Sequence, residues 1–529
     1  MLSFEQLKDK IYGCWNGKNI GGVLGAPFEA YRQLNDVTFY VQKDLEGNPP
    51  PNDDLDLQLV WLEAVEKYGR QIDAKILGEY WLSYITPNWV EYGTGKCNMG
   101  AGMMPPVSGY VANPYRDSCG CFIRSEIWAC LCPGHPELAV RYAYEDAIVD
   151  HAGEGMYGEI FCAAVQSAAF VESDKMKLIE IGLSYLPENC GVAKAIRLVL
   201  EAYQNGVPYQ ETRIRLLTEI TGSFGLQMVN LKNFDDGLPL GNSGYDAPSN
   251  IGIVIIGWLY GEDDFGKSLC IAVNCGEDTD CTAATLGAIL GIVHGNSNLP
   301  EEWLKPIGGI ITTCCINLTS GISVPKSISE LSDRVMRNIP SFLGYEFCDI
   351  LQGTGFSVKT CDRDELKYDS TDYSKPYLNG VNQKVGLSIK ELLEMGPFAV
   401  KYQFTTFDAI LDYCSEPFIK VNEPRKLKLK LFYNGMTRHQ QWVDIKLYMP
   451  DGVTVIQGDR FSGSLQNLHT YELQFEFDVL AEAIHDSRIE ILIDVSVAGR
   501  HTAGMMKAVL FPNGRTEIKE EQAKIDFNK

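Results

Sequence analysis

Glycine recurs at every fourth position in the first helical stretch of this chain, and this spacing constrains the fold more than any other feature of the sequence. Residues 4–26 are predicted to form a helix, and side chains four residues apart lie on one helix face. The glycines on this face are Gly13, Gly17, Gly21 and Gly25. Each costs a helix about 1 kcal/mol relative to alanine, so the stripe needs a compensating gain, which close approach of another helix supplies. A second smooth face is predicted later in the chain, around residues 282–294, with Gly287, Gly291 and Gly295. We expect the two helices to pack at the centre of the fold.

Two carboxylate clusters each stand at the start of a predicted helix. The first is Asn52-Asp53-Asp54, followed closely by Asp56, and the second contains Asp278 and Asp280. Inside a helix, residues i and i+2 point about 200° apart. In a loop that enters a helix both can face one point, and the helix N-terminus favours negative charge there. The two clusters are therefore candidates to converge on Mg²⁺, which prefers oxygen ligands. The simpler alternative is that Asp280 caps its helix and Asp278 is solvated.

The proposed helix packing also affects Glu29, which lies just past Pro27 at the end of the first helix. If the two glycine faces meet, Glu29 comes near Asp278 and Asp280. Without that packing, Glu29 would be an ordinary surface carboxylate.

The bulk properties exclude several classes of protein. A chain of 529 residues is long enough for two or three domains. Its net charge of −23 argues against nucleic acid or an anionic membrane as the main partner, because phosphate contacts need basic surface. No stretch reaches the roughly 18 apolar residues of a membrane span. We find no secretory signal pattern, so reduced cysteines in a cytoplasmic protein are the expectation. The C-x-C pairs at 119–121 and 130–132 lack the partner spacing of a zinc site.

The chain divides by hydrophobic period into two parts. Up to about residue 350 the pattern is helical, although residues 87–120 are rich in glycine, proline and aromatic residues and are predicted to be a ligand-facing loop. From about residue 397 apolar residues alternate, and Asn-Gly and Asp-Gly turns separate the runs, which predicts an antiparallel β-sandwich. The predicted division is an all-α domain at 1–350, a linker at 351–390, a β-sandwich domain at 391–515 and a charged tail at 516–529.

These motifs, in this order, resemble the ADP-ribosylglycohydrolase family over roughly residues 8–340. The segment from Gly17 to Glu29 is similar to the family's glycine-rich helix and following glutamate. Asn52-Asp53-Asp54 stands where the family has Thr/Ser-Asp-Asp, and His151 is similar to its mid-domain histidine. The segment 276–281, Gly-Glu-Asp-Thr-Asp-Cys, resembles the signature Gly-Gly-Asp-Thr-Asp-Thr.

The resemblance implies an all-α fold that holds two Mg²⁺ ions and cleaves a glycosidic bond of a ribosyl group. The substrate would be either a small molecule or a ribosyl or sugar group linked to a protein. The implied metal ligands are Asn52, Asp53, Asp54, Asp278 and Asp280. The implied catalytic carboxylates are Glu29 and Asp280. His151, Gly120 and Arg124 are predicted to bind the substrate. A pyrophosphate would require a basic side chain or backbone amides, for which Arg116 and Arg124 are the nearest candidates; the alternative for Arg124 is an ordinary helix charge.

Two departures from the family pattern leave alternatives open. Cys281 replaces a hydroxyl residue, and sulfur is a poor ligand for Mg²⁺. The β-sandwich accompanies many carbohydrate-active enzymes, so a glycoside hydrolase acting on an oligosaccharide or furanoside is the second hypothesis. A catalytically silent binding protein is the third. The sequence does not indicate an oligomeric state.

Overall fold

The structure is a computed structural model, and it describes the chain apart from residues 30, 221–233, 236–237, 240–243, 352–354, 370–386, 436, 438, 469–471, 485 and 514–529. The chain separates into two compact units, Met1–Asp372 and Tyr373–Lys529. The predicted charged tail at 516–529 and half of the predicted linker at 351–390 lie outside the described residues.

The first unit is helical, as the sequence predicts. Its helices are α1 (Phe4–Gly25), α2 (Asp53–Tyr68), α3 (Ala74–Tyr84), α4 (Val90–Ala101), α5 (Val107–Tyr110), α6 (Glu126–Leu131), α7 (Pro136–Ala147), α8 (Gly153–Ala168), α9 (Lys175–Ser184), α10 (Gly191–Gln204), α11 (Tyr209–Glu219), α12 (Ala247–Tyr260), α13 (Phe265–Asn274), α14 (Thr279–His294), α15 (Glu301–Ile307) and α16 (Ile328–Leu343). The unit also contains two short antiparallel hairpins. One pairs β1 (Phe234–Asp235) with β2 (Leu238–Pro239), and the other pairs β3 (Cys348–Leu351) with β4 (Gly355–Val358). In the part of the chain that is described, no helical stretch combines the length and hydropathy that crossing a bilayer requires.

Helices α1 and α14 pack along their glycines, which confirms the predicted pairing. A Cβ atom added at Gly17 would overlap the carbonyl oxygen of Gly287, and one at Gly13 would overlap that of Gly291. The contact continues to the end of α1, where the Thr279 hydroxyl donates to the carbonyl oxygen of Gly25 at 2.8 Å. We call this α1–α14 contact the glycine seam. It brings the C-terminus of α1 to the N-terminus of α14.

The prediction of a loop over residues 87–120 is wrong in part, because α4 and α5 lie within it. One glycine of α4, Gly95, reflects close packing rather than a turn. A Cβ atom at Gly95 would come within 2.9 Å of the Asp150 Cβ, so a larger residue would not fit there. Within the region that the hydrophobic pattern predicts as helical, residues 55–86 form two helices rather than one, because Gly69 ends α2 with a φ of 55°.

The second unit begins its described part with a short helix, α17 (Ile389–Glu394), and continues with ten strands. These are β5 (Ala399–Gln403), β6 (Phe407–Asp412), β7 (Phe418–Ile419), β8 (Arg425–Tyr433), β9 (Gln441–Tyr448), β10 (Val453–Val455), β11 (Arg460–Leu465), β12 (Glu472–Ala481), β13 (Ile489–Val497) and β14 (Ala503–Pro512). They form two five-stranded sheets, ordered β10-β12-β8-β6-β5 and β11-β9-β13-β14-β7.

The two sheets pack face to face, which confirms the predicted β-sandwich. Burial alternates along β8 and β13, where every second side chain is enclosed. Contacts between the sheets include the rings of Phe461 and Phe477, whose centroids are 6.1 Å apart. The strand pairs are antiparallel except for β14 with β7, which is parallel.

Candidate active site

The two predicted acidic clusters meet beside the glycine seam, at the N-termini of α2 and α14. Asn52 caps α2 by accepting the Asp54 amide at 2.9 Å. Gly22 of α1 leaves room for the Asn52 side chain, because a Cβ atom there would overlap its amide. Asp54 is fully buried, and Asp278 and Asp280 are 3% and 5% exposed. The seam therefore fixes both clusters against one another.

A short pairing between two loops places Glu29 beside the second cluster. The Glu277 amide donates to the carbonyl oxygen of Tyr31 at 3.2 Å. Glu277 has a φ of 67°, and its buried carboxylate accepts two hydrogen bonds from Arg32, at 2.6 and 3.0 Å. Gly276, with a φ of 73°, provides the other left-handed residue of this turn. This turn connects α13 to α14. The segment that follows Glu29 is held against the turn by the hydrogen bonds of Tyr31 and Arg32 with Glu277.

The carboxylates converge on one cavity. Carboxylate oxygens of Glu29, Asp278 and Asp280 lie within 4.8 Å of one another, and Asp54, Asp280 and Cys281 form a second group of the same size. The cavity has a volume of about 240 Å³. Its described lining is Glu29, Asp53, Trp89, Val90, Glu91, Tyr92, Cys119, Gly120, Ile123, Tyr245, Asp278, Asp280 and Cys281. Lysine and arginine are absent from this described lining.

Several buried carboxylate oxygens at this cavity have no hydrogen-bond partner among the described residues. They are both oxygens of Asp54 and the Oδ1 atoms of Asp278 and Asp280. The buried ammonium of Lys18 lies 3.9 Å from Asp54, and it also pairs with Glu126 at 3.2 Å. One shared cation leaves the cluster strongly negative, and buried unpaired carboxylates are unfavourable.

Burial and mutual repulsion raise the pKa values of these groups. Burial raises the pKa of Asp280 well above its ordinary value, and Asp278 and Asp54 raise it further. The Glu29 carboxylate reaches into the cavity from an otherwise exposed residue. Desolvation there, together with the charges of Asp278 and Asp53, raises the pKa of Glu29 to about 8.

This donor set fits a divalent cation. Unpartnered, buried carboxylate oxygens that face one another are the arrangement that a bound cation would satisfy. Asp53, Asp54, Asp278 and Asp280 supply hard oxygen atoms. Asn52 Oδ1 already accepts one hydrogen bond, so any coordination would use its second lone pair. Asp56 is engaged elsewhere, because its Oδ2 accepts the amides of Cys314 and Cys315, each at 2.7 Å.

Arg124 does not occupy the position predicted for a substrate-binding residue. It is fully buried and absent from the cavity lining, and its guanidinium pairs with Asp146 and Asp150 at 2.9 and 2.8 Å. Arg124 also donates to the carbonyl oxygen of Gly120 at 3.2 Å. Gly120 itself lines the cavity. Arg124 therefore supports the cavity wall from behind.

His151 is likewise buried behind the wall rather than exposed to the cavity. Its Nε2 atom lies 2.9 Å from Ser118 Oγ, and its Nδ1 atom lies 2.9 Å from Asp150 Oδ1. Burial alone would raise the pKa of Asp150, but Arg124 and His151 hold it at about 2. The Ser118–His151–Asp150 order is that of a hydrolytic triad, yet Ser118 is buried and outside the cavity lining. The contacts favour a supporting role.

Sequence reasoning missed Glu91, which joins this buried network to the cavity. Its Oε1 atom lies 4.0 Å from His151 Nε2. Burial raises the pKa of Glu91 to about 7, although His151 opposes the increase. The neighbouring Tyr92 hydroxyl donates to Asp53 Oδ2 at 3.3 Å. The sequence feature that could have identified Glu91 is the aromatic segment around residue 89, whose side chains line the cavity.

Comparisons with known proteins point to one family over most of the helical unit. A family model described as ADP-ribosylglycohydrolase matches residues 4–339. A segment of 49 residues is 41% identical to the ADP-ribosylarginine hydrolase Tri1 of Serratia proteamaculans (strain 568), and it represents 9% of this chain and 13% of that protein. A solved structure described as an ADP-ribosylglycohydrolase-related protein complex is 17% identical with a TM-score of 0.41, and the match covers 64% of this chain and 100% of that one.

Proposed function

The chain belongs to the ADP-ribosylglycohydrolase family, and from this membership we propose that it is a metal-dependent hydrolase cleaving a glycosidic bond of an ADP-ribosyl or related ribosyl compound. The observation that carries the proposal is the set of unpartnered, buried carboxylates around one cavity. A stable fold gains nothing from such a set, whereas a cation-dependent active site requires it.

The proposed cofactor is Mg²⁺, in two positions formed by the two acidic clusters. Asp53 and Asp54 from α2, with Asp278 and Asp280 at the start of α14, would hold it, and Asn52 stands beside them. When bound, such ions orient hydroxyl groups of a sugar and lower the pKa of a coordinated water. The cavity volume of about 240 Å³ suits a sugar ring rather than a whole dinucleotide.

Three carboxylates of the chain are placed for proton transfer. Repulsion from Asp278 and Asp53 contributes to the pKa of Glu29, so neutralising those charges returns Glu29 toward the ionised form that a base requires. Glu91, with a pKa of about 7, can hold a proton near neutral pH and donate it to a leaving group. Asp280 is a second candidate base, in addition to its role as a ligand.

The test is hydrolysis by the purified full chain with Mg²⁺ or with EDTA. The substrates are an ADP-ribosylated protein, free ADP-ribosyl compounds and a panel of furanosides. The Asp278→Asn/Asp280→Asn variant removes the two charges at nearly constant shape. Asp264→Asn is the matched control, because Asp264 occupies the N-cap position of α13 as Asp278 does in α14. Its side chain accepts the Lys267 amide at 2.7 Å, and asparagine caps equally well.

We expect release of ADP-ribose that EDTA and the double variant abolish and that Asp264→Asn retains. Turnover that is unchanged in the double variant would contradict the proposal.

A second candidate function is hydrolysis of an oligosaccharide or furanoside. It is favoured by the absence of basic side chains from the described lining, since a pyrophosphate would attract them. It is also favoured by Trp89, which is 54% exposed and stacks on Tyr92 with ring centroids 6.3 Å apart. Such a surface suits a sugar ring as well as an adenine. Cleavage confined to the furanosides would select this candidate.

A further inference from the structure

Two cysteines lie among the carboxylates of the cavity, although family resemblance leads one to expect oxygen ligands there. Sulfur atoms of Cys119 and Cys281 and a carboxylate oxygen of Asp278 all lie within 4.8 Å of one another. The Cys119 thiol donates a hydrogen bond to Asp278 Oδ2 at 2.8 Å. All three residues are buried and line the same cavity.

The three donors come from two elements, the loop that contains Cys119 and the start of α14. Cys119 belongs to the loop before Gly120, and its amide donates to the carbonyl oxygen of Tyr245 at 2.7 Å. Cys281 lies in the first turn of α14, and Asp278 occupies the N-cap position of that helix without capping it through its side chain. The Asp278 Oδ1 atom is buried without a hydrogen-bond partner among the described residues. An unpartnered oxygen beside two thiols indicates a ligand that all three can share.

We propose that Cys119, Cys281 and Asp278 form a sulfur-containing metal site that prefers a thiophilic divalent cation, such as Zn²⁺, over Mg²⁺. This proposal rests on the metal-binding part of the proposed function and not on the substrate. It revises the sequence-based expectation that the C-x-C pair at 119–121 has no role in binding zinc.

The preference follows from ligand chemistry. Mg²⁺ is a hard ion that takes oxygen ligands in octahedral geometry, whereas thiolates select softer ions. In a tetrahedral site with zinc–sulfur bonds of about 2.3 Å, two sulfur ligands are about 3.8 Å apart. The sulfur atoms of Cys119 and Cys281 are no more than 4.8 Å apart, so binding would require them to approach by at most about 1 Å. Three protein ligands with one open position also characterise catalytic zinc sites.

The adjoining group of donor atoms contains more oxygen and less sulfur, so the two metal positions differ in their ligands. Asp54 and Asp280 contribute oxygen atoms to it, and Cys281 is shared between the groups. The oxygen-rich position suits Mg²⁺, while the position of Cys119 suits Zn²⁺. The expected occupancy is therefore one Zn²⁺ and one Mg²⁺, so at the position of Cys119 Zn²⁺ replaces one of the two Mg²⁺ ions of the proposed function.

The first experiment measures binding of the metals themselves. The full-length chain, purified under reducing conditions without added metal, is analysed for Zn²⁺ and then titrated with Zn²⁺, Mg²⁺ and Co²⁺. We expect one tightly held Zn²⁺ per chain that excess Mg²⁺ does not displace. The Co²⁺ complex should show a thiolate-to-cobalt charge-transfer absorption, which reports sulfur coordination directly and needs no substrate.

Three variants separate this site from general effects on folding. Cys281→Thr restores the hydroxyl residue of the family signature, and Cys119→Ser removes the second sulfur. Cys97→Ser is the matched control, because Cys97 is an exposed cysteine of α4 outside the cavity lining. Each variant is first compared with the parent by circular dichroism and thermal unfolding.

We expect Cys281→Thr and Cys119→Ser to weaken Zn²⁺ binding about 100-fold or more and to lose the cobalt band, since even outer partners change metal affinity 10- to 100-fold. Mg²⁺ binding should be retained in both, and Cys97→Ser should match the parent. The proposal is overturned if Co²⁺ binds without the thiolate band, if folded Cys281→Thr keeps its preference for Zn²⁺, or if the two thiols form a disulfide in place of binding metal. Failure of hydrolysis alone would contradict the proposed function and leave these binding results standing.

Discussion

At the scale of single residues, the turn before α14 contains a glutamate in a backbone conformation that usually suits glycine. Glu277 has a φ of 67° and stands where the family signature has its second glycine. Its two hydrogen bonds with Arg32, and a third from the Gly244 amide, explain how the strained conformation is held. The sequence showed the departure from the signature, but the compensating Arg32 became visible only in the structure.

Arg32→Ala should therefore destabilise the protein by about 3 kcal/mol, because it leaves the fully buried Glu277 carboxylate without its partner. Adding Glu277→Gly should recover most of this loss, since glycine removes both the charge and the strain. The measurement is the free energy of unfolding in urea for both single variants and the double variant. A double variant as unstable as Arg32→Ala would contradict the account.

Glu91 gives a prediction about pH. Its pKa is raised from an ordinary 4.5 to about 7, so the folded protein binds this proton more tightly than the unfolded chain. The contribution of this proton to the free energy of unfolding is fully present below about pH 4.5, and it is lost as the pH rises through about 7. The difference of about 2.5 pH units corresponds to at most about 3 kcal/mol.

Replacing Glu91 by glutamine keeps the group neutral. Between pH 5 and 8, the thermal stability of Glu91→Gln should fall less than that of the parent. Deprotonation of an acid makes activity decline above about pH 7, and this decline should be absent from the variant. The exposed Glu79→Gln in α3 is the control. Identical pH profiles for Glu91→Gln and the parent would show that Glu91 does not titrate as described.

At the scale of elements, the glycine seam can be tested with a matched pair of substitutions. Gly17→Ala places a methyl group against the backbone of Gly287, which cannot move aside as a flexible side chain would. We expect a loss of about 1–3 kcal/mol or more. Gly100→Ala in α4 meets nothing within 4 Å, so it should stabilise the protein by up to about 1 kcal/mol. Denaturant unfolding of both variants measures the contrast; equal effects would mean that helix propensity, and not the seam, sets the result.

The seam and the helical series were predictable because spacing alone reveals them. Four glycines at intervals of four residues have few explanations in a helix, and the α1–α14 contact is the one observed. Helix α4 was not predictable, because glycines in a sequence are typical of turns. Only the structure shows that Gly95 packs against Asp150. His151 and Arg124 were recognised as important residues, but their burial behind Gly120 depends on long-range packing that a motif does not encode.

At the scale of the whole molecule, the cavity belongs to one of the two compact units. Every described lining residue falls between Glu29 and Cys281, within Met1–Asp372. We expect a fragment of residues 1–372 to fold and to bind Zn²⁺ and Mg²⁺ with the affinities of the full chain. Circular dichroism and metal titration of the fragment test this. A folded fragment that binds neither metal would show that the second unit is required for the site.

The glycine seam also limits how the length of this chain can vary. One inserted residue turns the rest of a helix by about 100° and advances it by about 1.5 Å, so every glycine beyond the insertion would face away from its partner. Phe4–Gly25 and Thr279–His294 should therefore accept neither insertions nor deletions in any descendant that keeps the active site. Glu29, however, follows a short turn at Ala26–Phe28 beyond the last glycine of α1. New specificities can thus arise by changing the length of the chain after Gly25 while the two acidic clusters are inherited unchanged.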